Sequence, residues 1–261
     1  MSQQDSSYVT SIYLTDGSKL VGKILAETAT DIKFKTSTGI ELTIERAKIK
    51  KIEKTEGDWY KGEFRRYDPN RTRLLFSPTA RSLLAGKGYF SIYQVFFPML
   101  SVGITDFITL SGGISLFPGV NLDGQLLYVA PKIRILHTDQ FDLSSGVLYV
   151  NALDETSFGV IYGVGTYGSP SASLTAGLGW GYAEDDVADK PLLIIGGEIQ
   201  VSGSVKLITE NWIPPGTNVT IHMFGIRFFG ESLAGDFGLL TSSEAGGAFP
   251  FLPWIGFVYN F

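Results

Sequence analysis

From residue 73 onward, apolar and polar side chains alternate with a period of two. Between 107 and 117, Ile108, Leu110, Ile114 and Leu116 share one parity, with Thr109, Ser111, Gly113 and Ser115 on the other. In a strand, one parity is one face. Between 171 and 183 the apolar parity is Leu174, Ala176, Leu178, Trp180 and Tyr182, against Ser173, Thr175, Gly177, Gly179 and Gly181. In 156–167, Phe158, Val160, Tyr162 and Val164 stand against Ser157, Gly159, Gly163 and Gly165. In 125–137, Val129, Ile133 and Ile135 stand against Tyr128, Lys132 and Arg134. The same reading predicts strands at 74–78, 89–104, 141–151, 192–201, 204–213, 218–229, 233–241 and 252–261. The count is about twelve, or about ten if 192–213 runs unbroken and 74–78 does not form.

The connections alternate too. Short turns at 105–106, 138–140, 169–170, 202–203 and 231–232 separate longer loops near 79–88, 118–124, 152–155, 184–190, 214–217 and 242–251. Outer-membrane barrels pair short periplasmic turns with longer outer loops in this way. A soluble sandwich would carry Lys, Glu and Thr on its wet face, whereas the second parity here is mostly Gly, Ser and Thr. The expected fold is all-β: an antiparallel transmembrane β-barrel with small residues facing a lumen of modest bore. Trp180, Tyr182, Trp212, Phe229, Trp254 and Tyr259 fall near strand ends, where interface girdles sit.

The last ten residues sharpen this. Ile255, Phe257, Tyr259 and Phe261 form one apolar column, opposite Gly256, Val258 and Asn260. The column resembles the carboxy-terminal recognition signal (β-signal) of bacterial outer-membrane β-barrels, which implies the barrel assembly machinery and outer-membrane lipid as partners. Further residues resemble an uncharacterised family of outer-membrane barrels from Bacteroidetes. They are Phe76-Ser-Pro-Thr-Ala80, Gly88-Tyr89, Gly103-Ile-Thr-Asp106, Glu210-Asn-Trp212, Gly225-Ile-Arg-Phe-Phe229 and Gly256-Phe-Val-Tyr-Asn-Phe261. That resemblance spans most of 73–261. It implies a fold and a Gram-negative outer membrane, and brings no activity.

Composition agrees. Charged residues are 18% of the chain, below the ~25% of a soluble domain, and no apolar run reaches the ~18 residues of a membrane helix. The net charge of −5 gives no reason to expect nucleic acid. With no Cys, disulfides and thiolate chemistry are excluded. The start, Met1-Ser-Gln-Gln-Asp-Ser-Ser, has no basic-then-apolar leader. A barrel must be exported, so a mature chain with an added Met is expected.

Residues 8–54 differ from the rest. Five short strands are predicted at 8–14, 19–27, 31–36, 40–45 and 49–53, with Asp16-Gly17 as a hairpin turn. The segment resembles small SH3-like or Sm-like barrels. The expected division is a small periplasmic β-domain at 1–56, able to recruit a periplasmic protein partner, a basic linker at 57–73, and the barrel at 74–261. In the linker, Lys61, Arg65, Arg66, Arg71 and Arg73 suit either phosphates of the inner leaflet or plain solvent.

Charge is scarce inside the predicted strands. A charge facing lipid at mid-depth costs about 2–4 kcal/mol, so Lys132, Arg134, Glu198, Lys206, Glu210, Arg227 and Asp236 are expected to face the lumen. There they form either a bracing ion-pair network or a pore constriction or ligand pocket. His137 beside a turn is expected in solvent. His222 lies mid-strand, but no Gly-x-Ser-x-Gly elbow accompanies it, so no catalytic residue is assigned. Glu184, Asp185, Asp186 and Asp189 read as an acidic loop before a Ca²⁺ site. No metal or cofactor is expected. The functional expectation is a narrow pore or small-ligand-binding barrel, not an enzyme. The alternative is a scaffold anchor whose periplasmic domain binds a partner, and a membrane-embedded hydrolase is the weakest reading.

Overall fold

The computed structural model describes residues 8–60, 63–152, 157–184, 186–246 and 250–261. Expectations that rest on residues 1–7, Lys61 and Asp185 fall outside them. The chain divides into two compact units, 1–67 and 68–261.

The first unit contains β1 (Tyr8–Leu14), β2 (Lys19–Glu27), β3 (Asp31–Thr36), β4 (Glu41–Glu45), β5 (Ile49–Tyr60) and β6 (Glu63–Arg66), ordered β4-β3-β2-β1-β5-β6. Gly17 takes φ +89°, open to glycine at little cost, and closes the first hairpin. Ile12, Ile32, Phe34 and Ile44 form the core, flanked by Leu20, Leu42 and Ile52. The expected linker is shorter than 57–73. Strand β5 runs on past Glu53 and gains β6 as a partner, with Gly57 opposite Arg66. Arg65 and Arg66 therefore lie in a sheet.

The second unit holds β7 (Gly88–Tyr93), β8 (Phe97–Gly103), β9 (Ile108–Ile114), β10 (Leu126–His137), β11 (Phe141–Ala152), β12 (Ser157–Gly168) and β13 (Ala172–Ala183). It continues with β14 (Asp186–Val187), β15 (Leu192–Ser202), β16 (Val205–Ile213), β17 (Ile221–Phe229), β18 (Leu233–Ser242) and β19 (Leu252–Asn260). Every strand except the two-residue β14 joins one antiparallel ring, closed by β12 on β13 and β19 on β7. That is a twelve-stranded barrel.

The count agrees with the pattern, but two members differ. Residues 74–78 form a turn closed by a bridge between Arg73 and Pro78. The predicted strand 89–104 is two strands, because Gln94 and Val95 take φ +49° and +67° and reverse the chain. The two changes cancel in the strand count, and they put a tight turn at Gln94 and Val95 on the end that otherwise carries the long loops. One face is also inverted. In β12, Val160, Tyr162 and Val164 point inward, and Ile161 and Tyr167 point out. Pairing sets this: Val164 lies opposite Gly177, on the inward parity of β13.

The outer surface is a belt of exposed apolar side chains. Leu174 is 68% exposed and Phe257 53%, with Phe224, Phe237 and Leu239 among their neighbours. Soluble monomers rarely carry apolar patches above a few hundred Å². A closed barrel also leaves no unpaired strand edge, as hydrocarbon requires.

Closure rests on the carboxy terminus. Ile255, Phe257, Tyr259 and Phe261 face outward, while Trp254 and Val258 are buried inward. Gly88 and Phe261 exchange backbone hydrogen bonds of 3.1 and 2.9 Å at the seam. Replacing Phe261 with Ser is expected to lower the yield of membrane-inserted protein severalfold. Unboiled wild-type protein is expected to migrate apart from boiled protein in detergent gels. Identical migration would contradict a closed ring.

Candidate functional site

A barrel of eight strands fills itself with side chains, and one of sixteen leaves a water channel. Twelve strands leave room for something more. Here residues 68–87 occupy it. The segment begins at the short-turn end, where the Asn70 side-chain amide donates to Asn260 Oδ1 at 2.8 Å. It rises to a turn in which Leu74 N–H bonds to the Ser77 carbonyl at 2.8 Å. It returns to the same end, where Leu83 N–H reaches Thr109 Oγ1 at 3.1 Å and Ala85 N–H reaches Asp106 Oδ1 at 2.9 Å. The residues at 79–88 are thus a returning limb and not an outer loop. Glycines in the wall make space for it: a Cβ on Gly196 would strike Leu74, and one on Gly225 would strike Leu75.

The wall grips this segment with charge. A chain of alternating sign runs through the lumen. Arg73 pairs with Asp236 at 2.6 Å, and Asp236 pairs with Arg227 at 2.6 Å. Arg227 meets Asp68 at 2.8 Å, and Asp68 meets Lys206 at 3.3 Å. Lys206 meets Glu198 at 2.9 Å without hydrogen-bond alignment, and Glu198 meets Arg81 at 2.9 Å. Lys132 Nζ donates to the carbonyls of Thr72, Thr79 and Arg81 at 3.2, 2.9 and 2.6 Å. Glu210 accepts from Phe76 N–H and Ser77 N–H, both at 2.9 Å, from Ser77 Oγ at 2.7 Å and from Trp212 Nε1 at 2.8 Å. Arg134 lies nearer the turn end, 3.8 Å from Asp142, and donates to the Asp106 carbonyl.

All seven charges named from the sequence face inward. Six of them hold the interior segment: Lys132, Glu198, Lys206, Glu210, Arg227 and Asp236. Their partners Asp68, Arg73 and Arg81 lie on residues read as linker or loop. Arg73 is buried, not solvated. Mixed charge on an inward parity was the available signal, since a buried charge needs an opposite one.

Other candidates separate. His137 Nδ1 lies 2.6 Å from Asp142 Oδ1 with a largely exposed ring. His222 points outward and bonds to Asn211 at 2.8 Å and Thr220 at 2.9 Å. Of the expected girdle, Trp180, Tyr182 and Tyr259 face out. Trp212, Phe229 and Trp254 turn in, because their strand registers put them on the lumen parity. Among the described residues no acidic or His cluster suits a metal. A concavity of about 1050 Å³ lies on the outer wall among Leu174, Ile199, Leu207, Phe224 and Phe237. Its apolar lining belongs to the outward belt.

No known family model matches the chain, and no curated protein matches it. Solved structures do. The KdgM porin aligns with 11% identity and a TM-score of 0.52, covering 67% of this chain and 98% of that one. The KdgM porin in complex with disordered oligogalacturonate aligns with 12% identity, the same TM-score of 0.52 and the same coverage. At this identity the likeness is one of fold, and the fold is that of a porin-like outer-membrane barrel.

Proposed function

We propose that this chain is a closed solute-handling barrel of the outer membrane, in which residues 68–87 act as a plug across the lumen. The observation that carries the reading is the ion-pair network, which ties Asp68, Arg73 and Arg81 to β15, β16, β17 and β18. Polar contacts suit a removable plug, because water can replace them when the segment leaves. The seven wall charges named from the sequence are then constriction residues only in the plug-free state. Arg227 and Lys206 are already paired with wall and plug carboxylates, so neither is open in the resting lumen to an acidic saccharide such as the one in the KdgM complex. The likeness to KdgM supports solute handling as a class.

Refolded full-length protein is expected to be silent in planar bilayers at about 100 mV. Reproducible single-channel steps from protein shown to be folded would overturn the reading.

In this reading the short-turn end, where the plug begins and the chain closes, faces the periplasm. The amino-terminal unit is periplasmic in this reading as well. Its strand order and the 3₁₀ turn at Arg46–Lys48 support the likeness to SH3-like or Sm-like barrels. The sequence resemblance supports a Bacteroidetes origin. A second reading, a scaffold that recruits a periplasmic protein, is favoured by the unit's own core around Ile12, Ile32 and Phe34. A pull-down that depends on residues 1–67 would test it.

A further inference from the structure

We infer that the outer half of the lumen, above the plug, binds a small apolar or amphipathic molecule with an alkyl or aromatic body. The inference rests on the plug reading, since the plug is the floor of the site.

The lumen is divided by chemistry. On the strands, the inward charges Lys132, Asp142, Glu198, Lys206, Arg227 and Asp236 all lie toward the short turns. Toward the long loops, the inward positions of the same strands are apolar: Leu148 on β11, Ile194 on β15, Ile221 on β17 and Leu240 on β18. Each of these is only partly buried. A lumen that passed hydrophilic solutes would carry polar groups there.

The floor is aromatic. Phe76, at the tip of the plug, is 41% exposed although the barrel wall surrounds it. Open space therefore lies directly over the plug. Tyr93, Trp212 and Trp254 surround the Phe76 ring, with centroids 6.1, 5.9 and 6.0 Å away. Such rings offer large apolar contact area at little cost in side-chain entropy.

Several polar atoms in this half are already occupied by protein partners. Glu210, a charged strand residue that reaches the aromatic floor, is held by four donors of the protein. Ser115 bonds to Gln125 at 2.8 Å, and the Tyr128 hydroxyl donates to the Pro98 carbonyl. A sugar or an ion would lose its water here and find few new partners. An apolar body loses nothing by entering. Two polar atoms of the floor, Trp254 Nε1 and the Tyr93 hydroxyl, are buried without a hydrogen-bond partner.

The cup contains its own reporters. The chain has four Trp, at 59, 180, 212 and 254. A Trp59→Phe/Trp180→Phe variant leaves only the two on the cup floor. Full-length protein of this background is placed in phospholipid nanodiscs and titrated with brominated dodecanoate, which quenches indole on contact. The expected result is quenching that saturates at one probe per barrel and is relieved by unbrominated dodecanoate. Leu240→Gln, checked for a folded barrel by unboiled migration, is expected to weaken the saturable phase about tenfold. If that variant does not fold, relief by the unbrominated acid still decides. Quenching that rises linearly and is not relieved would mean bilayer partition and would overturn the inference. Conductance of the same protein separates the two readings. A silent barrel without saturable quenching sinks the cup alone. A conducting barrel with saturable quenching overturns the plug as a seal of the lumen, while the binding surface around Trp212 and Trp254 stands.

Discussion

Replacing residues 71–86 with a Gly-Ser linker of about four residues is expected to turn a silent barrel into a conducting one. The geometry permits the excision. Asn70 bonds to Asn260 and Gly88 bonds to Phe261, so both ends of the cut lie beside neighbouring residues of one strand end. A linker of this length spans about 13 Å when extended. The backbone of the twelve strands is untouched, so unboiled migration should persist. Discrete steps of reproducible size are expected, where the full chain gives none. The exposed wall would carry Lys132, Arg134, Lys206 and Arg227 against Asp142, Glu198, Glu210 and Asp236. Four against four predicts weak selectivity between cations and anions. Continued silence from a folded excision variant would show that the wall side chains alone close the lumen.

The second large effect concerns Arg227. Its guanidinium lies at the centre of the network, fully buried, donating to Asp236 at 2.6 Å, to Asp68 at 2.8 Å and to the carbonyls of Asn70 and Leu74. A buried ion pair adds little net stability over a well-packed apolar pair, but removing one partner strands the other charge at about 3–5 kcal/mol. Arg227→Ala strands part of two carboxylates, although Arg73 still meets Asp236 and Lys206 still meets Asp68. The expected loss is thus at the lower end, about 3 kcal/mol. It should appear as a lower temperature for conversion of the fast to the slow gel band. Intermittent conductance is expected as well, because the plug loses its central anchor. An Asp68→Asn/Arg227→Gln pair removes opposite charges together and should lose less than Arg227→Ala. Equal losses would mean that the charges are independent of one another.

Period-two alternation was enough to specify the architecture. The outward columns at 107–117, at 171–183 and at the carboxy terminus faced lipid because alternate residues of a strand cannot share a face. Scarce charges faced inward because hydrocarbon penalises them. Where the pattern was weaker the register decided. In β12, bulky residues stand on one parity and glycines on the other, and only the pairing of Val164 with Gly177 showed which parity faces the lumen. Trp212, Phe229 and Trp254 read as girdle aromatics for the same reason: sequence position near a strand end does not reveal the side of the wall. The break at Gln94 and Val95 carried no glycine to announce it. The plug was the least legible part. Its residues 68–87 show neither period two nor period 3.6, since they form no strand and no helix. Local turns satisfy some of their backbone groups, as at Leu74 and Ser77, but others are satisfied only by the wall. Asp68 finds Arg227 across 159 residues and Arg81 finds Glu198 across 117. Local pattern determined that this chain builds a barrel with charge inside. What that charge holds was decided by tertiary structure, because pairing over such separations exists only once the ring has closed.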